Sequence, residues 1–105
     1  MHYDASILLV DDYEFIRTIL ERMLQQLGYQ NLCMAADGVD ALHLLRTRPV
    51  DLVITDYHMP EMDGIGLFQA MQQDPVLAKI PVLLILVFLS KNLRHRHWRW
   101  ESKVP

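Results

Sequence analysis

The sequence is poor in cysteine, because Cys33 is the only one among 105 residues. A disulfide within the chain is therefore excluded, and the apolar run around Cys33 favours a buried thiol over a reactive one. Since chains without disulfides are typical of reducing compartments, we expect a cytoplasmic protein.

The sequence also lacks long hydrophobic runs. The longest, Ile80–Leu89, has ten residues and contains Pro81, whereas a membrane-spanning helix needs roughly 18 or more. Near the start of the chain, Ile7–Val10 is too short for the hydrophobic region of a signal peptide. We therefore expect neither a membrane span nor a signal peptide.

A strong charge of one sign is absent from the chain as a whole, but its two parts differ. The net charge is −3, and 51% hydrophobic with 22% charged residues is ordinary for one globular domain. Residues 91–105 contain five Lys or Arg and one acid, a charge of +4, which leaves −7 for residues 1–90. The body is therefore acidic and the following segment is basic. The sequence contains no internal repeat.

Four short apolar runs predict β-strands. Each run is continuous rather than alternating, which is typical of parallel strands that are buried on both faces. The four runs are Ile7–Val10, Leu32–Ala35, Leu52–Thr55 and Val82–Ile85.

Helical patterns lie between these runs. The first is an apolar stripe, closed by Gly28, with spacings of three and four: Ile16, Ile19, Leu20, Met23, Leu24 and Leu27. A second helix is predicted over about Val39–Arg46, with Asp37 or Gly38 at its start. A third is predicted over about Ile65–Gln73. The alternation of strands and helices predicts a parallel α/β sheet.

Three acids lie at the carboxyl ends of predicted strands: Asp11 and Asp12 follow the first strand, and Asp56 follows the third. If the strand order is 2-1-3-4, they converge at the edge where open parallel sheets bind ligands. Like charges repel one another, so the cluster favours a hard divalent cation with oxygen ligands, namely Mg²⁺. Alternatively, Asp12 caps a helix and Asp56 seeds a turn, but capping needs at most one of the three. Asp63 is assigned to capping the third helix.

Four segments resemble, in order and spacing, the receiver domain of two-component response regulators of the chemotaxis-regulator type: ILLVDDYEFIR, AADGVDALHLL, VDLVITDYHMPEMDGIGL and KIPVLLI. The resemblance covers Ser6 to about Ile85 and implies a flavodoxin-like, three-layer α/β fold. It also implies that a histidine kinase or a histidine phosphotransfer protein donates a phosphoryl group to an aspartate, which is Asp56 here.

The same resemblance implies roles for individual residues. Asp12 and Asp56 would bind Mg²⁺ directly, Asp11 largely through water, and the backbone carbonyl of His58 would complete the protein ligands. Asp56 would end a rigid buried strand, where it is held in line with an incoming phosphoryl group. The side chain of His58 is expected to face solvent.

The resemblance ends after the fourth predicted strand. A receiver continues with a Ser or Thr, a helix, a fifth strand ending in Lys before Pro, and a fifth helix, but Leu86 takes the hydroxyl position here. Only 19 residues follow, whereas those elements need roughly 35 to 40. Lys91 and Lys103 lack the expected context. We therefore predict an incomplete receiver-like domain over residues 1–85, with the fifth strand and helix missing or replaced by an atypical segment, 86–105.

The atypical segment has two further features. His95 and His97, without a cysteine or acid partner, are weak evidence for a metal site. Basic residues and tryptophans are compatible with binding to a phosphate backbone, but packing of Trp98 and Trp100 on an apolar surface of the body is favoured. We therefore do not expect nucleic acid as a partner.

The sequence leaves two main function classes open. The first is a Mg²⁺-dependent phosphoacceptor signalling domain with impaired output switching, and with no enzyme activity beyond self-phosphorylation and slow self-dephosphorylation. The second is an interaction module with little or no phosphorylation, a homodimer formed through Val82–Leu89 and Trp98. A hydrolase with Asp56 as nucleophile is disfavoured, because His58 stands where a second acid is needed.

Overall fold

The computed structural model describes residues 3–59 and 61–85, which form four strands and three α-helices that alternate along the chain. The elements are β1 (Ile7–Val10), α1 (Glu14–Gln26), β2 (Leu32–Ala35), α2 (Gly38–Thr47), β3 (Leu52–Asp56), α3 (Gly64–Gln72), a 3₁₀ turn (Leu77–Lys79) and β4 (Val82–Ile85).

The strands form one parallel sheet in the order β2-β1-β3-β4. Val10 pairs with both Ala35 and Thr55, so the first three strands end at the same level. Three strands have the predicted bounds, and β3 extends one residue further because Asp56 pairs with Ile85. The predicted order 2-1-3-4 and the flavodoxin-like fold class are confirmed.

Helices on both faces of the sheet give three layers, each face with its own apolar core. Side chains alternate between the two faces along each strand, so every strand contributes to both cores. On one face the buried core includes Leu8, Val10, Val53, Ala41, Leu42, Leu45, Leu67 and Met71. On the other face α1 packs through Leu20 and Leu24 on Ile7, Leu9 and Ile54.

Only part of the apolar stripe predicted for α1 is buried. Ile16 is buried, whereas Ile19, Met23 and Leu27 keep 39%, 54% and 63% of their surface exposed. The predicted stripe thus lies on one helix, α1, but only part of it packs against the sheet. Ile19 and Met23 precede Leu20 and Leu24 by one residue, about 100° around the helix, so they lie on a flank of α1 rather than against the sheet.

Aspartates cap the second and third helices. The Asp37 carboxylate accepts a hydrogen bond from the amide of Asp40 at 2.8 Å. Of the two residues proposed for the start of α2, Asp37 is therefore the cap and Gly38 is the first helical residue. The Asp63 carboxylate accepts from the amide of Gly66 at 2.8 Å, which confirms its predicted capping role at α3. Both bonds satisfy amides that have no partner within the helix.

The described helices are short. α1 has 13 residues, α2 has 10 and α3 has 9. At 1.5 Å per residue, the longest spans about 20 Å. Within residues 3–59 and 61–85, no helix is long and apolar enough to cross a membrane.

Several sequence predictions concern residues outside the described ranges. They include the assignments made for Leu86, Lys91 and Lys103, and the rest of the atypical segment 86–105. The domain boundary after residue 85, and the loss or replacement of a fifth strand and helix, therefore stay predictions.

Candidate functional site

The carboxyl edge of the sheet brings three acidic side chains together. Asp11 and Asp12 directly follow β1, and Asp56 is the last residue of β3, the neighbouring strand. One carboxylate oxygen from each residue lies within 4.8 Å of the other two. The structure therefore gathers the three acids singled out from the sequence into one cluster, where the strand order reverses.

The three acids differ in burial. Asp11 and Asp56 are fully buried, whereas Asp12 is half-buried and forms the part of the cluster that reaches solvent. Bringing carboxylates this close, away from water, costs free energy unless positive charge compensates for it. Carboxylate oxygens are the ligands that Mg²⁺ prefers, so the composition of the cluster suits such an ion.

Three hydrogen bonds, to β2 and to the start of α1, hold Asp11 in place. Its amide donates to the carbonyl of Ala35 in β2 at 3.2 Å, and its Oδ1 accepts from the amide of Tyr13 at 2.8 Å. Its carbonyl accepts a hydrogen bond from the Arg17 guanidinium of α1. Tyr13, rather than Asp12, takes the cap position of α1 and makes no side-chain capping bond, so the capping alternative for Asp12 is wrong.

Backbone contacts fix Asp56, the last residue of β3, against β4 and the start of α3. The Thr55 hydroxyl donates to the Asp56 carbonyl at 3.1 Å, and the next amide, of Tyr57, donates to the carbonyl of Ile85 at 2.9 Å. A Cβ atom at Gly64 would lie 2.6 Å from the Asp56 carbonyl oxygen, so glycine permits this close approach. The sequence alone indicates only that Gly64 helps to shape the turn into the third helix, and no local pattern reveals this contact or singles out Thr55.

His58 follows the cluster in an exposed turn. Its side chain is exposed, as expected, and its ring contacts the ring of Tyr57 edge-on, with centroids 4.8 Å apart. The assignment of its backbone carbonyl as a metal ligand stays a prediction.

A cavity of about 300 Å³ adjoins the turn after Asp56. It is lined by Tyr57, His58, Leu84 and Ile85. The two β4 residues lie at the end of that strand, where Ile85 pairs with Asp56. No sequence pattern predicts this cavity, because its walls come from segments that meet only through the pairing of β3 with β4.

The fold and the site together define a class of protein. It is a flavodoxin-like α/β domain whose ligand site lies at the carboxyl edge of a parallel sheet, at the switch in strand order. The donor set of three carboxylates suits a hard cation and, with it, a phosphoryl group.

A family model described as the response regulator receiver domain matches residues 7–98. The chain belongs to the response regulator receiver domain family. The resemblance inferred from the four sequence segments is thereby confirmed, and the family match continues past Ile85, where the motifs had ended.

Individual proteins agree with this assignment. The chain is 39% identical over 85 residues to the chemotaxis protein CheY-3 of Vibrio cholerae, and the match covers 81% of the chain and 65% of CheY-3. The chain thus spans less than two thirds of that relative. The similarity supports the chemotaxis-regulator type inferred from the motifs.

Two solved structures show the same fold. The chemotaxis response regulator CheY4 of Vibrio cholerae aligns with a TM-score of 0.72 at 33% identity, over 77% of this chain and 67% of CheY4. The receiver domain of a sensor histidine kinase from Pseudomonas aeruginosa aligns with a TM-score of 0.74 at 25% identity, over 88% and 75%. That structure has a magnesium ion coordinated in its active site cleft.

Proposed function

We propose that this receiver domain accepts a phosphoryl group on Asp56 from a histidine kinase or a histidine phosphotransfer protein, in a Mg²⁺-dependent reaction. The observation that carries the proposal is the cluster of Asp11, Asp12 and Asp56, with oxygens within 4.8 Å of one another. Membership of the receiver family, and the magnesium ion in the similar receiver domain from Pseudomonas aeruginosa, support it.

In the proposed reaction, a carboxylate oxygen of Asp56 attacks the phosphorus of a phosphohistidine. The new O–P bond forms as the N–P bond breaks, and the electron pair of the broken bond stays on the imidazole nitrogen. β3 pairs with β1 on one side and β4 on the other, which keeps the carboxylate in a fixed place. In such transfers, positioning and charge stabilisation account for most of the catalysis.

The residues of the cluster fit a magnesium ion. Asp12 and Asp56 would bind it directly, Asp11 largely through water, and the backbone carbonyl of His58 would complete the protein ligands. Bound there, the ion supplies positive charge against the carboxylates and the phosphoryl oxygens. The half-buried Asp12 leaves this side of the cluster open to the incoming donor.

We further propose that phosphorylation produces little output through the usual receiver route. Leu86 occupies the position of the family's Ser or Thr, and neither Lys91 nor Lys103 has the context of the family's lysine. A modification shifts a conformational equilibrium only through contacts that differ between the two states. Without a hydroxyl and an ammonium to follow the phosphoryl oxygens, those differences are small. Slow self-dephosphorylation is the only further reaction we propose.

Intact mass spectrometry after incubation with acetyl phosphate and Mg²⁺ tests phosphorylation. We expect one added phosphoryl group on the wild-type chain, and none when Mg²⁺ is removed by a chelator or when Asp56→Asn is used. Asp37→Asn is the matched control, since it changes an aspartate that caps α2 outside the cluster. It should accept the phosphoryl group like the wild type. An unmodified wild type, or an adduct that survives in Asp56→Asn, would contradict the proposal.

A second candidate function is self-association with little or no phosphorylation. β4 pairs with β3 on one side, and no strand of the described ranges pairs with its other side. Leu83 and Leu84, on opposite faces of β4, are 51% and 38% exposed. Apolar strand edges recruit further chains, and identical chains usually pair about a twofold axis. The proposed homodimer would form through Val82–Leu89 and Trp98.

Sedimentation tests this candidate. The wild type should be a dimer at micromolar concentration, and the double variant Val87→Lys, Phe88→Lys should be a monomer. Val76→Lys is the control, because Val76 is 72% exposed and lies outside this segment, so its dimer should persist. A monomeric wild type would remove the candidate, and so would an unchanged dimer in the double variant.

A further inference from the structure

Part of one sheet face is left open by the described residues. α1 is the only described helix on this face, where it packs on Ile7 and Leu9 of β1. Leu83 pairs with Ile54, and residues paired in register point to the same face, so Leu83 lies beside Ile54. Ile54 is 7% exposed, but Leu83 is 51% exposed. The covering layer therefore stops short of β4.

The side of α1 that faces this opening is apolar. A cavity between α1 and β2 is lined in part by Glu14, Arg17, Thr18, Met34 and Ala35. That polar side of α1 thus faces β2. At about 100° per residue, Ile19 and Met23 lie on the opposite side of the helix, toward β3 and β4. Their exposed fractions of 39% and 54% agree with an uncovered flank.

These residues define one surface, which we call the α1–β4 trough. Its floor is formed by the strands beside the buried Ile54 and its wall by the helix, and its members are Leu52, Leu83, Ile85, Ile19 and Met23. Contiguous apolar surface of this kind is normally covered by another segment or by a partner.

We propose that residues 86–105 of the same chain pack into the α1–β4 trough and bury Trp98 and Trp100 there. The segment follows Ile85, which is itself part of the floor, so it starts at the rim of the trough. Even the full length of α1, roughly 20 Å, is spanned by about 13 helical or six extended residues. The segment has 20 residues, so it is long enough to turn and cross the surface.

Composition and charge favour this occupant. The segment begins with the apolar residues Leu86–Leu89 and contains both tryptophans of the chain. Its part from residue 91 onward has a charge of +4, against −7 for residues 1–90, so the basic side chains can remain at the surface of an acidic body. Tethering also gives the segment an effective concentration of about millimolar, well above that of a second copy in dilute solution. The inference does not depend on phosphorylation of Asp56.

Intrinsic tryptophan fluorescence of the full chain tests the inference, since Trp98 and Trp100 are its only tryptophans. In the wild type we expect a blue-shifted emission maximum and protection from acrylamide quenching, both independent of protein concentration. Met23→Glu and Leu83→Glu place a charge in the trough and should shift the emission toward that of tryptophan in water. Phe68→Glu is the control, because Phe68 is 40% exposed on α3, which packs on the other face of the sheet.

The results distinguish residues 86–105 of the same chain from a second copy of the chain as the occupant of the α1–β4 trough. Wild-type emission like that of tryptophan in water would overturn the inference, as would a shift caused by Phe68→Glu and not by Met23→Glu. A blue shift lost on dilution together with a sedimenting dimer would also overturn it and assign the trough to a second copy. Far-UV circular dichroism checks folding. If Leu83→Glu unfolds the protein, Met23→Glu still tests the inference, because Met23 is at an exposed helix position.

Discussion

Gly64 and Gly66 lie two residues apart at the start of α3, but their surroundings differ. A Cβ at Gly64 would lie 2.6 Å from the backbone carbonyl oxygen of Asp56, an atom that cannot move without shifting β3. At Gly66 the nearest atoms are the Met62 Cγ at 3.2 Å and the Asp63 Oδ1 at 3.3 Å, which belong to side chains. The two glycines therefore have different importance for the position of Asp56.

We predict that Gly64→Ala destabilises the protein by about 1–3 kcal/mol, because overpacking against backbone forces a local shift. The shift displaces Asp56, so the yield of phosphorylated protein should fall as well. Urea unfolding measures the first effect, and intact mass after treatment with acetyl phosphate and Mg²⁺ measures the second.

Gly66→Ala is the matched control for this prediction. Alanine is favoured over glycine inside a helix by about 0.5–1 kcal/mol, and Met62 can adjust, so stability should be unchanged or slightly higher. Equal losses in the two variants would contradict the steric role assigned to Gly64.

At the scale of single elements, α3 joins the candidate site to the rest of the protein. It begins at Gly64, next to Asp56, and its first turn is capped by Asp63. Leu67 and Met71 anchor the helix in the core that it shares with α2. Asp63 thus lies near the acidic cluster in sequence but acts on the stability of a helix.

We predict that Asp63→Ala lowers the free energy of unfolding by about 0.5–2 kcal/mol, because the amide of Gly66 loses its partner. Asp63→Asn should stay close to the wild type, since asparagine caps helices about as well as aspartate. Urea unfolding of the three proteins measures both effects. Asp63→Asn should also be phosphorylated on Asp56 to the wild-type level, and a loss there would place Asp63 in the reaction rather than in capping.

At the scale of the whole molecule, the candidate site is connected to β4. Asp56 pairs with Ile85, and the amide of Tyr57 donates to the carbonyl of Ile85 at 2.9 Å. Any rearrangement around a phosphoryl group would reach the rest of the sheet through these contacts. If switching is impaired, phosphorylation of Asp56 changes these contacts little, because Leu86 offers no hydroxyl to the phosphoryl oxygens.

NMR spectra of the backbone amides, recorded with and without the phosphoryl mimic beryllofluoride, test whether switching is impaired. We predict chemical-shift changes around Asp11, Asp12 and Asp56, with small changes over Val82–Ile85. Asp56→Asn treated with the same reagent should lose the local changes. Large changes across residues 82–90 of the wild type would show that the domain switches without the usual hydroxyl, and would contradict the proposal.

Much of the fold followed from local patterns. The four strands, the approximate extents of the three helices and the cap at Asp63 were all predicted, because hydrophobic periodicity and capping depend on residues close in sequence. The receiver resemblance likewise rests on short motifs around Asp12 and Asp56. Predictions for the carbonyl of His58, the segment 86–105 and a cytoplasmic location stay predictions.

By itself, the sequence determined which residues form strands and helices, and that three acids follow strand ends. Only the tertiary structure decided that these acids meet, because convergence requires β1 beside β3 in level register. It also decided that Gly64 presses against Asp56, and that Ile19 and Met23 stay exposed although they continue an apolar stripe. Contacts of this kind depend on which distant segments pack together, and no local pattern encodes the distance between two surfaces.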